Sequence, residues 1–344
     1  MSFLAGSTAL TICKLPSALP EGFLEKFAEN SIGNVERVKD ETLFGWAGWR
    51  HTQAPVDEAN AICGGHLYLQ FVTARRQIKG TALKDECRRQ ELAFMKANDT
   101  AICPSKERRR IKEEVKERML AKTPVSVSAI DVAVSVTDKL LYIGATTPKQ
   151  VFAVLELFYK TTGALSYPQN LTTLAQSAET LDGRDFLTWL WKFSDEGGKV
   201  NLLPGLCSEE IESMISGPLV FEDEDAKGAL HSRVQDGCPE LAAEAKAALL
   251  AGKKLKKAKL TIVRDKQIWS GTFDAKLCAF SGFTLPDGEE MEAHARFAER
   301  IELLRTLYDF LEEYAMCYNY ELKKAGPEEL KKKLLAWAKD RPGK

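Results

Sequence analysis

A chain of 344 residues, 44% hydrophobic and 28% charged, is long enough to bury a sizeable core and to hold two or more domains. These figures exclude a disordered or fibrous protein, and no apolar run reaches the length that would span a bilayer. The formal net charge of −1 excludes a uniformly basic nucleic-acid binder.

The first 22 residues (MSFLAGSTALTICKLPSALPEG) contain no basic n-region and no sustained apolar core, so they do not read as a signal peptide and a cytoplasmic protein is expected. Leu10 to Leu15 is a short apolar strand candidate. Pro20 to Asn30 follows with helical spacing through Phe23, Leu24 and Phe27. Leu43 to Trp49 (LFGWAGW) is a compact aromatic segment, and His66 to Thr73 (HLYLQFVT) alternates as a strand does. Two helices come next, Thr81 to Lys96 and then KERRRIKEEVKERML, for which Ser105 is the predicted N-cap. In the second of these Ile111, Val115, Met119 and Leu120 make only a narrow apolar stripe.

After Pro124, VSVSAIDVAVSV alternates with period two and Leu140 to Ala145 answers it across a short turn, predicting a hairpin. Thr147 to Thr161 is an amphipathic helix, residues 164–182 read as a loop, and Asp185 to Phe193 (DFLTWLWKF) as a short aromatic helix. Gly217 to Glu222 is a strand candidate. Pro239 to Leu250 is an Ala-rich helix stopped by Gly252. Three strands are predicted at Ala258 to Val263, Ile268 to Phe273 and Leu277 to Phe283. A long helix runs from Glu289 to about Lys324, with apolar residues at Phe297, Ile301, Leu304, Tyr308, Leu311, Ala315 and Tyr318. That four–three alternation is a heptad seam, which serves equally well for packing within the chain or for a dimer contact.

The resulting fold class is α+β, with mixed antiparallel sheets, amphipathic helices and a long C-terminal helix. Four consecutive parts are expected: an N-terminal α/β part (1–74), a basic helical part (75–123), an α+β part (124–288) and a C-terminal helical extension (289–344).

Enzyme motifs are largely absent. Gly252-Lys253 invites a phosphate-loop reading, but Ala247 and Lys254 stand where that motif needs Gly and Ser or Thr. The eight cysteines (Cys13, Cys63, Cys87, Cys103, Cys207, Cys238, Cys278, Cys317) form no C-x-x-C pair, and His51, His66, His231 and His294 are not beside them at zinc spacing. Reduced thiols are expected, with no metal and no other cofactor. Asp131, Glu113, Glu114 and Asp274 are the carboxylates from which a metal-dependent nuclease site would have to be built, but no local spacing joins them.

Charge distribution is more informative than net charge. From Arg75 to Lys122 there are 15 Lys/Arg against 8 Asp/Glu, and from Lys253 to Lys266 there are 7 against one. From Glu179 to Asp225 the balance reverses, with 12 acids against 3 bases. Such asymmetry lets one surface face phosphates while another repels them. The candidate DNA contacts from the first basic segment are Arg75, Arg76, Lys79, Arg88, Arg89, Arg108, Arg109 and Lys112; those from the second are Lys253, Lys254, Lys256 and Lys257.

An ordered series of short blocks resembles the RdgC recombination-associated proteins of bacteria, from roughly Gly45 to Phe283. The blocks are Gly45-Trp46, RRQIKGTALKDEC, SKERRRIKEEVKERML, Ala129 to Asp131 followed by LLYIGATT, Val234 to Asp236, Ala251-Gly252-Lys253, and Phe273-Asp274. The resemblance implies a ring-shaped homodimer whose basic inner surface lines double- or single-stranded DNA without reading its sequence. It further implies a nucleoid-associated role beside recombination, limiting access of a RecA-type recombinase, with no membrane partner and no catalytic residues. Where the family has a basic K-K-Q-D stretch this chain has Arg233-Val234-Gln235-Asp236, so Arg233 and Gln235 join the candidate DNA contacts. Where the family has L-P-x-x-F, a subunit contact, this chain reads Leu120-Ala121-Lys122-Thr123-Pro124, without the aromatic. Two alternatives to DNA binding remain at this stage: a metal-dependent nuclease or nuclease accessory, and a protein-interaction module using the heptad helix.

Overall fold

Period-two alternation and helical amphipathicity recur as elements of the computed structural model, which describes residues 3–197, 211–223, 231–288 and 291–341. The strands are β1 (Thr8–Lys14), β2 (Leu43–Gly48), β3 (Ile62–Cys63), β4 (His66–Arg75), β5 (Ser126–Ser135), β6 (Leu140–Ile143), β7 (Tyr167–Pro168), β8 (Glu212–Glu222), β9 (His231–Val234), β10 (Lys254–Arg264), β11 (Gln267–Asp274) and β12 (Ala279–Thr284). Helices fall mostly between them. They are α1 (Phe23–Glu29), α2 (Glu58–Ala61), α3 (Gly80–Ala97), α4 (Ser105–Lys122), α5 (Pro148–Thr162), α6 (Leu171–Leu174), α7 (Gly183–Asp195), α8 (Ala243–Leu250), α9 (Ala293–Ala325) and α10 (Pro327–Asp340). The protein is therefore α+β, as its sequence pattern predicts.

The chain divides into two units, and neither is a continuous segment. The smaller comprises residues 22–61 and 69–130, the larger residues 1–21, 62–68 and 131–344. This differs from the four consecutive parts expected from sequence. The basic segment 75–123 is not a part of its own but is built together with residues 22–61, because β2 pairs antiparallel with β4 from Leu43↔Ala74 to Gly48↔Leu69.

In the smaller unit the Gly45-Trp46 pair has a steric explanation. A Cβ on Gly45 would lie 2.4 Å from the Ile32 backbone, so only glycine lets that neighbouring segment approach. Its closeness is used: Ile32 N donates to Trp46 O and Trp46 N to Asn30 O. Trp46 itself is fully buried, edge-on to Phe27 and Phe71. Ile32, Val35, Val38, Ala47, Val72 and Ala74 form one core cluster of this unit. A second, smaller cluster holds α3 to α4: Cys103, Ile111 and Val115, with Leu83, Cys87, Phe94, Met95 and Met119 against them.

In the larger unit the strand order is β5-β6-β1-β12-β11-β10-β8-β9, with antiparallel neighbours throughout. The predicted β5–β6 hairpin is present, in register Val132↔Ile143 to Ser135↔Leu140. Residues 164–182, expected as a loop, contain the two-residue β7 and the single-turn α6, which is closed by a capping box between Asn170 and Thr173. Two further boundaries shift. Ser105 is the first helical residue of α4, with Pro104 in the cap position, so it is not the N-cap. The Ala-rich helix begins only at Ala243, because Ala242 is extended and Pro239–Leu241 forms a separate 3-10 turn.

The heptad seam faces inward. Phe297, Ile301, Leu304, Tyr308, Leu311, Ala315 and Tyr318 are each 4% exposed or less within the unit. Tyr68 stacks on Phe297 at 4.3 Å, Phe310 meets Trp269 edge-on at 5.1 Å, and Tyr318 packs against Phe186 and Trp189 of α7. Trp269 also donates to the Leu303 carbonyl at 3.0 Å. Of the two readings left open for the seam, packing within the chain is the one observed, since its apolar residues are covered by the chain's own sheet and α7. The helix starts at Ala293; Glu289 and Glu290 lie outside the described residues. Its end is set by Gly326 at φ 82°, after which Pro327 opens α10.

Among the described residues, no helix is long and apolar enough to cross a membrane. A Leu304→Ala substitution should lower the unfolding free energy by about 2–5 kcal/mol, read by denaturant titration, without dependence on protein concentration. A concentration-dependent loss would restore the seam as a subunit contact.

Candidate nucleic-acid interface

The two basic segments differ in what their charges meet. The first is the helix pair α3/α4 and the strand end before it. α3 buries no residue fully and α4 buries only Ile111 and Val115, so nearly all of the pair's remaining surface faces solvent. Four acids pair with some of the surface cations: Glu86 takes Arg89 at 3.0 Å and Arg118 at 2.6 Å, Glu91 takes Arg108 at 3.8 Å, and Glu107 and Glu114 take Arg110. Lys116 pairs with Asp40.

The others remain available. Arg75, Lys79, Arg88, Arg109 and Lys112 are exposed and form no ion pair among the described residues. Arg109, Lys112 and Lys116 fall at i, i+3 and i+7, which puts them on one stripe of α4 beside the apolar stripe that contacts α3.

Arg76 has a different role from its neighbours. Its guanidinium donates to the carbonyls of Val38 (2.7 Å), Glu36 (3.1 Å), Leu120 (3.4 Å) and Thr123. It therefore ties the end of β4 to the 3-10 turn at Val35–Arg37 and to the C-terminal end of α4, where the helix dipole favours a cation. A planar fork with five donors can serve all four acceptors; an ammonium, with three donors on one nitrogen, cannot.

The second basic segment is largely neutralised. Lys254 reaches Asp185 at 2.9 Å and Asp182 at 3.7 Å, Lys256 reaches Glu222 at 2.9 Å, and Lys257 reaches Asp274 at 2.8 Å. Lys253 donates to Ser232 Oγ at 2.5 Å. A shift of register in the β8–β10 pairing around Lys257 explains the geometry. Leu255, Ala258, Leu260 and Ile262 all face the core, so Lys256 and Lys257 are left together at the half-exposed bulge. Arg233 and Gln235 are exposed at the end of β9.

Asp182, Asp185 and Glu222 all come from the acidic stretch 179–225. What the sequence suggested as a separate repelling surface thus supplies the counter-ions of the second basic segment. Glu222, 5% exposed, also receives Arg184 at 3.2 Å. Burial alone would raise its pKa, but Lys256, Lys276 and Arg184 outweigh burial and hold it below the ordinary carboxylate value.

The carboxylates considered for a nuclease site are occupied in other ways. Asp131 Oδ2 accepts from Phe3 N (3.2 Å) and Tyr68 Oη (3.0 Å). Asp274 Oδ1 accepts from the Lys276 and Leu277 amides. Glu113 is exposed on α4. Among the described residues, no group of three or more His, Cys, Asp or Glu is placed to hold a metal ion.

Fold and surface together define an α+β protein with a long antiparallel sheet in one unit and a solvent-facing basic helix pair in the other. Residues 20–184, just under half of the chain, match the family model described as "Putative exonuclease, RdgC", which supports an RdgC-family assignment for that part. The match takes in the whole smaller unit and ends in the first turn of α7; the blocks from Val234 onward lie beyond it. No curated protein matches the chain.

Two outcomes are expected. Arg76→Lys should destabilise the smaller unit by about 1–3 kcal/mol, because several carbonyls lose a charged donor, and hydrogen exchange at β4 and the end of α4 should report it. Glu222→Gln should cost about 1–3 kcal/mol at pH 7 by leaving its cations without a counter-ion. Because the folded-state pKa of Glu222 is depressed, that contribution is complete above the unfolded value of about 4.3 and is lost as pH falls through the folded one. The stability gap between wild type and variant should therefore close at acid pH; a gap constant from pH 7 to pH 3 would contradict the assignment.

Proposed function

We propose that this protein binds DNA without sequence preference, through the exposed cations of the α3/α4 pair and the adjoining strand end, and performs no chemistry on it. The observation that supports this most is that Arg75, Lys79, Arg88, Arg109 and Lys112 are exposed on the smaller unit with no carboxylate paired to them among the described residues. Unpaired Lys and Arg suit phosphate oxygens, and contacts to phosphates position a protein without conveying base identity. Lys254, Lys256 and Lys257 are spent on ion pairs and belong to the scaffold in this proposal. Arg233 and Gln235 enter it only through the family resemblance.

The RdgC-family assignment supports the finer part of the proposal. The protein acts as a homodimer on the nucleoid, beside recombination, and limits the access of a RecA-type recombinase to DNA. The covered heptad seam leaves the subunit contact to another surface.

The family's description favours a second function, an exonuclease. Asp131 and Asp274 would have to give up amide and hydroxyl donors to bind metal there, which weighs against them as its ligands.

Anisotropy titrations with duplexes of two unrelated sequences should give equal affinities that fall steeply between 50 and 200 mM salt. Each phosphate contact contributes about 0.9 to the slope of log K against log salt, so Arg109→Gln with Lys112→Gln should make it shallower by about 2. Lys257→Gln should leave it unchanged. An unchanged slope in the double variant would remove the α3/α4 pair as the site, and magnesium-dependent shortening of the duplex would establish the exonuclease instead.

A further inference from the structure

α5 buries Val151, Val154, Leu155 and Phe158, yet its opposite face is not simply polar. Phe152 is 56% exposed and Tyr159 51%, and just past the helix Leu165 and Tyr167 are 50% and 61% exposed. Single exposed apolar residues need no explanation, but a concentration of them within one short stretch does. At 100° per residue Phe152 and Tyr159 lie about 20° apart on the helix and two turns, or about 10.5 Å, along it. By the same geometry Lys149 and Lys160 flank that stripe on one side, about 60–80° round from Phe152.

Beyond the helix the chain runs into β7. Only three residues lie between Gly163 and Tyr167, a span of at most about 14 Å. Tyr167 then pairs directly opposite Lys14 across antiparallel β7 and β1, so the two side chains stand on the same side of the sheet. Ser166 Oγ donates to Lys14 O at 3.0 Å and fixes that pairing. Lys14, Lys149 and Lys160 are exposed and form no ion pair among the described residues. One acid, Glu156, is exposed on the same helix about 40° round from Phe152, between the two rings and the lysines.

We infer that this face, formed by α5, β7 and Lys14, binds single-stranded nucleic acid, with bases stacked on Phe152, Tyr159 and Tyr167 and phosphates drawn to Lys14, Lys149 and Lys160. Aromatic rings interleaved with unpaired lysines complement a polyanion that presents flat apolar faces. Only an unpaired strand offers those faces; in a duplex they are hidden in the stack. The face belongs to the larger unit, and it adds to the DNA-binding function proposed for the smaller one without depending on it.

The test uses the full chain and a labelled oligothymidylate at low salt. Phe152→Leu with Tyr159→Leu keeps apolar bulk but removes the rings, and should weaken oligonucleotide binding roughly 5- to 100-fold. The aromatic swap Phe152→Tyr with Tyr159→Phe should hold affinity within about twofold of wild type, since any ring stacks. Glu156→Gln should tighten binding, and duplex affinity should stay unchanged in all three. Retained oligonucleotide binding in the leucine variant would overturn the proposal, as would an equal loss of duplex binding. So would a change in its oligomer size by light scattering, which would make the face a subunit contact. Arg109→Gln with Lys112→Gln should spare oligonucleotide binding, so failure of the duplex site and failure of this one are separately visible.

Discussion

Glu222 is a carboxylate covered by its neighbours at the end of β8, and the surrounding part of the larger unit is arranged to keep it ionised. A buried charge is tolerable only when paired and hydrogen-bonded. Lys256 from the neighbouring strand and Arg184 from the first turn of α7 meet that requirement, and Arg184 in turn holds Asp182, the N-cap of α7. The cap side chain, the sheet and the basic strand are thus parts of one electrostatic arrangement. Its by-product is functional, because cations committed there are not available to a ligand.

That commitment separates two segments that look alike when charges are counted. In α3 and α4 most acids sit three or four residues from a cation or on the adjoining helix, and cations outnumber them, so a surplus stays on the surface. In β10 the counter-ions come from far along the chain; Lys254 and Asp185 are 69 residues apart. Counting within a window sees the first kind of neutralisation and misses the second.

The same distinction explains how much of the fold was legible. Strands β1, β4, β5 and β6 and helices α3, α5 and α7 follow from local periodicity, which depends on which face of an element meets a core. The inward direction of the heptad seam did not follow, because a four–three apolar pattern is identical whether the covering surface belongs to the same chain or to another copy. Arg76 sits in a run with Arg75 and Lys79, and nothing in that run marks it as the residue whose guanidinium caps backbone carbonyls. The register shift that keeps both Lys256 and Lys257 out of the core was likewise hidden, since strict alternation is the only strand pattern that sequence periodicity detects. The Gly-Trp pair was visible as a block, while its reason, a segment passing 2.4 Å from where a side chain would begin, is purely tertiary.

The division of the chain has a bearing on its ancestry. Passing from residue 21 to 22, 61 to 62, 68 to 69 and 130 to 131, the polypeptide changes unit four times. A stretch of gene that is moved, lost or fused elsewhere carries a contiguous run of codons, and no such run encodes the smaller unit without also encoding residues 62–68 of the larger. The smaller unit as a whole therefore cannot be acquired or shed as one uninterrupted cassette that leaves the larger unit's residues untouched. The helix pair, within residues 69–130, is by contrast encoded without interruption, so an exchange confined to it leaves both crossings of the chain into the larger unit in place.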